Sequence, residues 1–215
     1  MNQISRTILG CTLTAALALT ACGRSDSGSG SSSPQETQHA AWRTGLGILT
    51  EASDQERTGK ISTIAAAVLL DADGRVADVM LDEAEISVSA DSTGKVTMPS
   101  DFRTKRQKGS DYPLAAASSL KKGWVEQADA FGRYLVGKTP DEVKKLSTDD
   151  HGKSTDADLL SACTIAVDGY RDAVVRACES AETLGAAQGD RAVLGAAVRS
   201  DTKDLAADDD HDVTA

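Results

Sequence analysis

The chain has 215 residues with 33 acidic against 23 basic side chains, a formal charge of −10. That balance repels nucleic acid and anionic headgroups, so no nucleic-acid partner is expected. Two Trp, three Tyr and two Phe leave a core that must be built from Ala, Val, Leu and Ile.

The first 22 residues carry the clearest signal. Asn2, Arg6 and the free amine make a weakly cationic start, and Ile8 to Leu19 is apolar apart from small residues and threonines. Twelve residues cannot span a bilayer, which needs about 20, but they suit the core of a signal peptide. The run closes with Leu19-Thr20-Ala21-Cys22, the box that lipoprotein signal peptidases of bacteria accept. The expectation is cleavage of residues 1–21, a diacylglyceryl group on the Cys22 thiol, and a domain held by that lipid anchor on the extracytoplasmic face of the cell membrane. Processing would remove Arg6 and no acid, leaving 22 basic and 33 acidic residues and a formal −11. Residues 22–39 then read as the lipidated Cys and a Ser/Gly-rich spacer.

Residues 40–200 read as one α+β domain. Trp42 to Thr50, with its Gly45-Leu46-Gly47-Ile48 core, is a first strand. Ile61 to Leu70 is a second, ended by the turn signal Asp71-Ala72-Asp73-Gly74 and answered by Val76 to Leu81. Ile86 to Ser89 alternates as a further strand, Asp91 to Gly94 turns, and Val96-Thr97-Met98 resumes. The first half is thus an antiparallel meander. The second half is helical. Ser118 to Leu135 places Leu120, Trp124, Ala128, Phe131 and Leu135 on one stripe. Thr139-Pro140-Asp141-Glu142 caps a short helix, and a last helix is expected from Ser161 to Leu184. Ala192 to Val198 echoes the Gly45–Ile48 strand, as a vestigial second copy or a closing edge strand. Residues 201–215 hold six aspartates and read as an acidic, solvated tail. Strands first and helices afterwards argue α+β, with helices on one face of the sheet.

Four cysteines reduce to two once Cys11 leaves and Cys22 is acylated. Cys163 and Cys178 are fifteen residues apart. On one continuous helix that is about 22 Å, beyond a disulfide, so both are expected as small buried hydrophobes.

Catalytic motifs dissolve on inspection. Gly132 to Thr139 matches G-x-x-x-x-G-K-T in form, yet an amphipathic helix precedes it and Pro140 follows. A helix end at Gly137 and a cap at Thr139 explain the same letters. Ser118-x-x-Lys121 and Ser119-x-x-Lys122 lack the partner motifs of penicillin-recognising enzymes, since Pro140 spoils the strand that Lys138-Thr139 would supply. His39, His151 and His211 have no metal-ligand spacing. No acid, base and nucleophile converge, so an enzyme acting alone is the least favoured reading and no metal site is expected.

Asp158-Leu159-Leu160-Ser161-Ala162-Cys163-Thr164-Ile165, followed by Tyr170 to Ala181, resembles the FMN-binding domain family of ion-pumping quinone and ferredoxin oxidoreductases and of surface flavoprotein lipoproteins. The family pattern is D-x-x-S-G-A-T, with Ala162 and Cys163 here in place of Gly and Ala. The resemblance implies FMN linked by a phosphodiester to Thr164, with Asp158 and Ser161 beside it and Trp124 or Tyr112 near the ring. A phosphate at a helix N-terminus would meet free N–H groups. It also implies electron transfer with a redox partner at the membrane. The same residues equally suit a helix start capped by Ser161 or Asp158.

A second likeness, to bacterial surface lipoproteins of unassigned role related to those domains, covers nearly all the mature chain. It runs through Gly45–Ile48, Asp71–Arg75, Thr104-Lys105, Gly109-x-x-Tyr112, Trp124-x-x-Gln127, Gly137–Thr139 and Asp158–Ile165. Gln107 and Lys108 stand where those relatives carry Glu and Leu. The alternative implied is a flavin-free binding or structural lipoprotein on the same scaffold.

Overall fold

A computed structural model describes residues 41–93 and 95–199. The expected signal peptide, Cys22, the spacer, His39, His211 and the acidic tail lie outside the described residues. The chain is α+β. Four antiparallel strands lie in the order β1 (Arg43–Gln55), β2 (Thr58–Leu70), β3 (Val76–Ala90), β4 (Val96–Thr97). Helices follow as α1 (Lys105–Lys108), α2 (Leu114–Ala117), α3 (Trp124–Leu135), α4 (Pro140–Lys144), α5 (Ala157–Leu160) and α6 (Asp168–Glu179). No helix among the described residues is long and apolar enough to cross a membrane.

Period-two alternation sets one face inward. Ile64, Ala66, Val68 and Leu70 of β2, with Val76 and Leu81 of β3, pack against Trp124, Phe131 and Leu135 of α3 and Ala173, Val174 and Ala177 of α6. Thr44, Leu46 and Ile48 alternate with these, and Leu46 and Ile48 are half exposed on the other face. Gly45 and Gly47 explain how close α6 comes. A Cβ on Gly45 would sit 1.8 Å from the Ala177 carbonyl oxygen, and one on Gly47 2.0 Å from that of Ala173. Helix backbone thus rests on strand backbone. Ser180 Oγ and Arg176 Nη1 then reach around to the edge of β1, donating to the carbonyls of Leu46 (2.9 Å) and Ile48 (3.3 Å).

Three turns share one construction. Asp71, Asp91 and Asp149 each use Oδ1 to accept two backbone N–H groups, two and four residues on. Each aspartate's own N–H donates to the carbonyl of Arg75, Lys95 or Lys153. A short polar side chain holding its own loop is the usual reason for Asp at such a turn.

Several expected boundaries move. Val76–Leu81 and Ile86–Ser89 are one strand, β3, because Asp82 and Glu83 are buried and partnered within it and do not break it. The first stripe becomes helix only at Trp124. Ser118 to Lys122 is a turn with Lys121 at φ 55°, and the Glu126 carboxylate takes the Gly123 N–H at 2.8 Å to start α3. The expected Ser161–Leu184 helix shrinks to α6. Before it, the Thr164 N–H donates to Gln127 Oε1 and the Val167 N–H to the Gly152 carbonyl, so neither serves a helical ladder. Ala192–Val198 is neither a second copy nor an edge strand. It crosses the sheet irregularly, held where Leu194 N–H meets Met80 Sδ and where Gln107 Nε2 donates to the Ala196 carbonyl. Gln107 also closes a capping box with Thr104.

Other expectations hold. Gly137 has φ 84° just past α3, and Thr139 caps α4 in a box with Glu142. Cys163 and Cys178 are free and buried, although the continuous helix invoked to keep them apart does not exist between residues 161 and 167.

Candidate functional site

The sheet is longer than the helix that covers it. Register places Leu49, Ile64 and Glu83 in one inward row, then Glu51, Ser62 and Glu85 in the next. Helix α6 begins over the first row, where a Cβ on Gly169 would lie 2.9 Å from Ile64 Cδ1. Beyond it the inward face turns from aliphatic to polar, and a cavity of about 630 Å³ opens. Its walls come from the end of β1, from Tyr112 and Leu114, and from Ile165, Ala166, Asp168 and Gly169.

The floor is a connected polar network. Lys105 Nζ lies 2.7 Å from Glu83 Oε1 and 3.2 Å from Glu85 Oε2, and Lys60 Nζ lies 2.9 Å from Glu85 Oε2. Ser62 Oγ donates to Glu83 Oε1 at 2.6 Å, and the Tyr170 hydroxyl donates to Glu83 Oε2. Trp124 Nε1 in turn donates to the Tyr170 hydroxyl at 2.9 Å, with the two rings tilted 58° at 5.9 Å. Lys105 Nζ also sits 5.2 Å from the Tyr112 ring centroid. Glu83 and Lys105 are 5% and 8% exposed. Among the described residues no buried side-chain nitrogen or oxygen lacks a partner.

Electrostatics follow from this geometry. Burial alone would push the Lys105 ammonium down, but the charge of Glu83 and its hydrogen bond outweigh it, and the pKa is raised. Burial likewise opposes ionisation of Glu85. Its hydrogen bond to Lys60 and the charge of Lys105 win, and its pKa is lowered. Burial first and the Glu83 charge second push the Tyr170 phenol far up, so it stays a donor.

The residues expected to hold a flavin phosphate are placed elsewhere. Thr164 Oγ1 and N–H both meet Gln127 Oε1, at 3.1 and 2.8 Å, and Ser118 Oγ is 3.5 Å from the same hydroxyl. Thr164 precedes α6 by four residues. Ser161 Oγ donates to the Asp158 carbonyl, and the side chain that caps the N-terminus of α5 is that of Asp156, with Ser161 at its C-terminal end. None of the three lines the cavity. Trp124 and Tyr112, by contrast, do line the cavity. Among the described residues no group of three or more His, Cys, Asp or Glu could hold a metal ion.

Sequence reasoning passed over Lys60, Ser62, Glu83 and Glu85 altogether. The available signal was Asp82-Glu83-Ala84-Glu85: acids at alternate positions within a β-run, which place two carboxylates on the inward face. No family model, no curated protein and no solved structure matches this chain.

Proposed function

We propose that this is a lipid-anchored, extracytoplasmic binding domain that holds a small molecule in the cavity above Glu83, Lys105 and Tyr170, without flavin. One observation carries the reading: a cavity of ligand size floored by buried, fully partnered charges. Taking such charges out of water costs several kcal/mol per ion unless geometry compensates, and polar groups gathered in a cleft mark candidate sites. The test is native mass spectrometry of the protein isolated from its own host, beside an Ile165→Trp variant that puts bulk into the cavity wall. A bound small molecule present in the first and absent from the second is expected. No such species in either would sink the reading.

Tyr112 and Trp124 on the same cavity favour a second reading, an FMN-binding-like electron carrier serving a redox partner at the membrane. Bound flavin would supply the electron chemistry, while the aromatic side chains would flank its ring. Protein purified yellow supports this reading, and colourless protein that takes up no added FMN removes it. A covalent link predicts an intact-mass loss in Thr164→Ala.

The anchor rests on Leu19-Thr20-Ala21-Cys22. Cys22→Ala cells should retain an unprocessed chain that incorporates no labelled fatty acid.

A further inference from the structure

We infer that the cavity takes a small organic cation: a protonated amine joined to an apolar or aromatic body. This rests on the binding reading above and names its ligand class.

The charges on the floor cancel one another. Glu83 and Glu85 face Lys105 and Lys60, and both ammonium groups are committed to carboxylates within 3.2 Å. Ser62, Tyr170 and Trp124 likewise spend their donors inside the network. Two further carboxylates, Glu51 and Asp168, line the same cavity. Among the described residues neither enters an ion pair, and both are exposed. One Asp168 oxygen accepts the Gly169 N–H at 2.9 Å, which sets that acid against the positive end of α6. A newcomer thus meets spare acceptors and a net negative lining in which each lysine is already paired with a carboxylate. An ammonium group, with three donors and no acceptor, complements that lining, whereas a phosphate or carboxylate does not.

Apolar side chains complete much of the wall, Leu114, Ile165 and the Tyr112 ring among them. Such faces suit a hydrocarbon body. The volume matches a ligand of drug size or smaller. The negative charge of the whole chain favours approach of a cation from solution.

Calorimetric titration of the full-length chain in detergent uses two probes sharing one ring and linker, phenethylamine and 3-phenylpropanoate, with FMN as a third. The Trp124 indole N–H resonance reports whether binding is in the cavity. Phenethylamine is expected to shift that resonance and to bind at least about tenfold tighter than the carboxylate, a gap that 1.4 kcal/mol supplies. Replacing both rim acids (Glu51→Gln with Asp168→Asn) should weaken it about tenfold, and added salt should weaken the unaltered protein. These positions are exposed, so the variant folds. Failure of phenethylamine to bind, or binding of 3-phenylpropanoate as tightly, overturns the cation assignment. If FMN or the carboxylate still moves the indole resonance, the cavity remains a binding site. If none of the three moves it, the binding reading falls as well.

Discussion

Lys105 Nζ and Glu83 Oε1 lie 2.7 Å apart, with side chains only 9% and 6% exposed. Glu83 also accepts from Ser62 and Tyr170, so its charge is compensated only while the lysine stays. Lys105→Met should destabilise the fold by about 3–5 kcal/mol, because a buried carboxylate is left without its counter-ion. Adding Glu83→Gln to that variant should restore part of the loss, with a coupling of roughly 1–3 kcal/mol. Urea midpoints of the four proteins decide it. Simple additivity would mean that the pair is energetically idle.

Backbone contact makes a sharper demand at Gly47. Its substitution by Ala should cost about 2–3 kcal/mol, since the new methyl would overlap the Ala173 carbonyl and force α6 outward. Gly59→Ala is the control. Nothing lies within 4 Å of a Cβ there, and an exposed change of that kind stays within about 0.5 kcal/mol. Equal stability of the two variants would contradict the packing described.

The ionisation pattern predicts stability against pH with a definite sign. Lys105 is raised from its ordinary 10.5, so its contribution is complete below that value and is lost as pH climbs through the raised one. Glu85 is lowered from 4.5, so its contribution is complete above 4.5 and disappears as pH falls through the lowered one. A plateau between those limits is expected in denaturation midpoints. Glu85→Gln should shrink the acid limb, and Lys105→Met should shrink the alkaline decline, to which the raised Tyr170 phenol also contributes.

Burial pushes both Cys163 and Cys178 up to about 11. The thiolate is the reactive form, so iodoacetamide at neutral pH should leave both untouched in the folded protein. In guanidinium chloride both should alkylate. Labelling of either thiol in the native state would show that its cover opens.

The sheet and the caps were legible because their causes are local. Asp71 and Asp91 hold their own turns, and Gly137 and Thr139 punctuate two helices within three residues. The site was not, since its members come from β2, β3, α1, α3 and α6 and meet only by register. Glu83 faces inward because it pairs with Ile64, a fact about strand alignment that no short motif contains. Residues 161–167 failed for a related reason. The amide groups of Thr164 and Val167 are claimed from far along the chain, by Gln127 and Gly152, and helical periodicity cannot report a distant acceptor.

The Gly45–Gly47 contact has a consequence for ligand reach. It fixes the height of α6 by backbone alone, and Tyr170 hangs from that helix less than a turn from Ala173. The phenol's distance to its carboxylate acceptor is therefore gauged by two absent side chains. A methyl added at either glycine would lift the phenol off the floor, deepening the chamber while loosening its base.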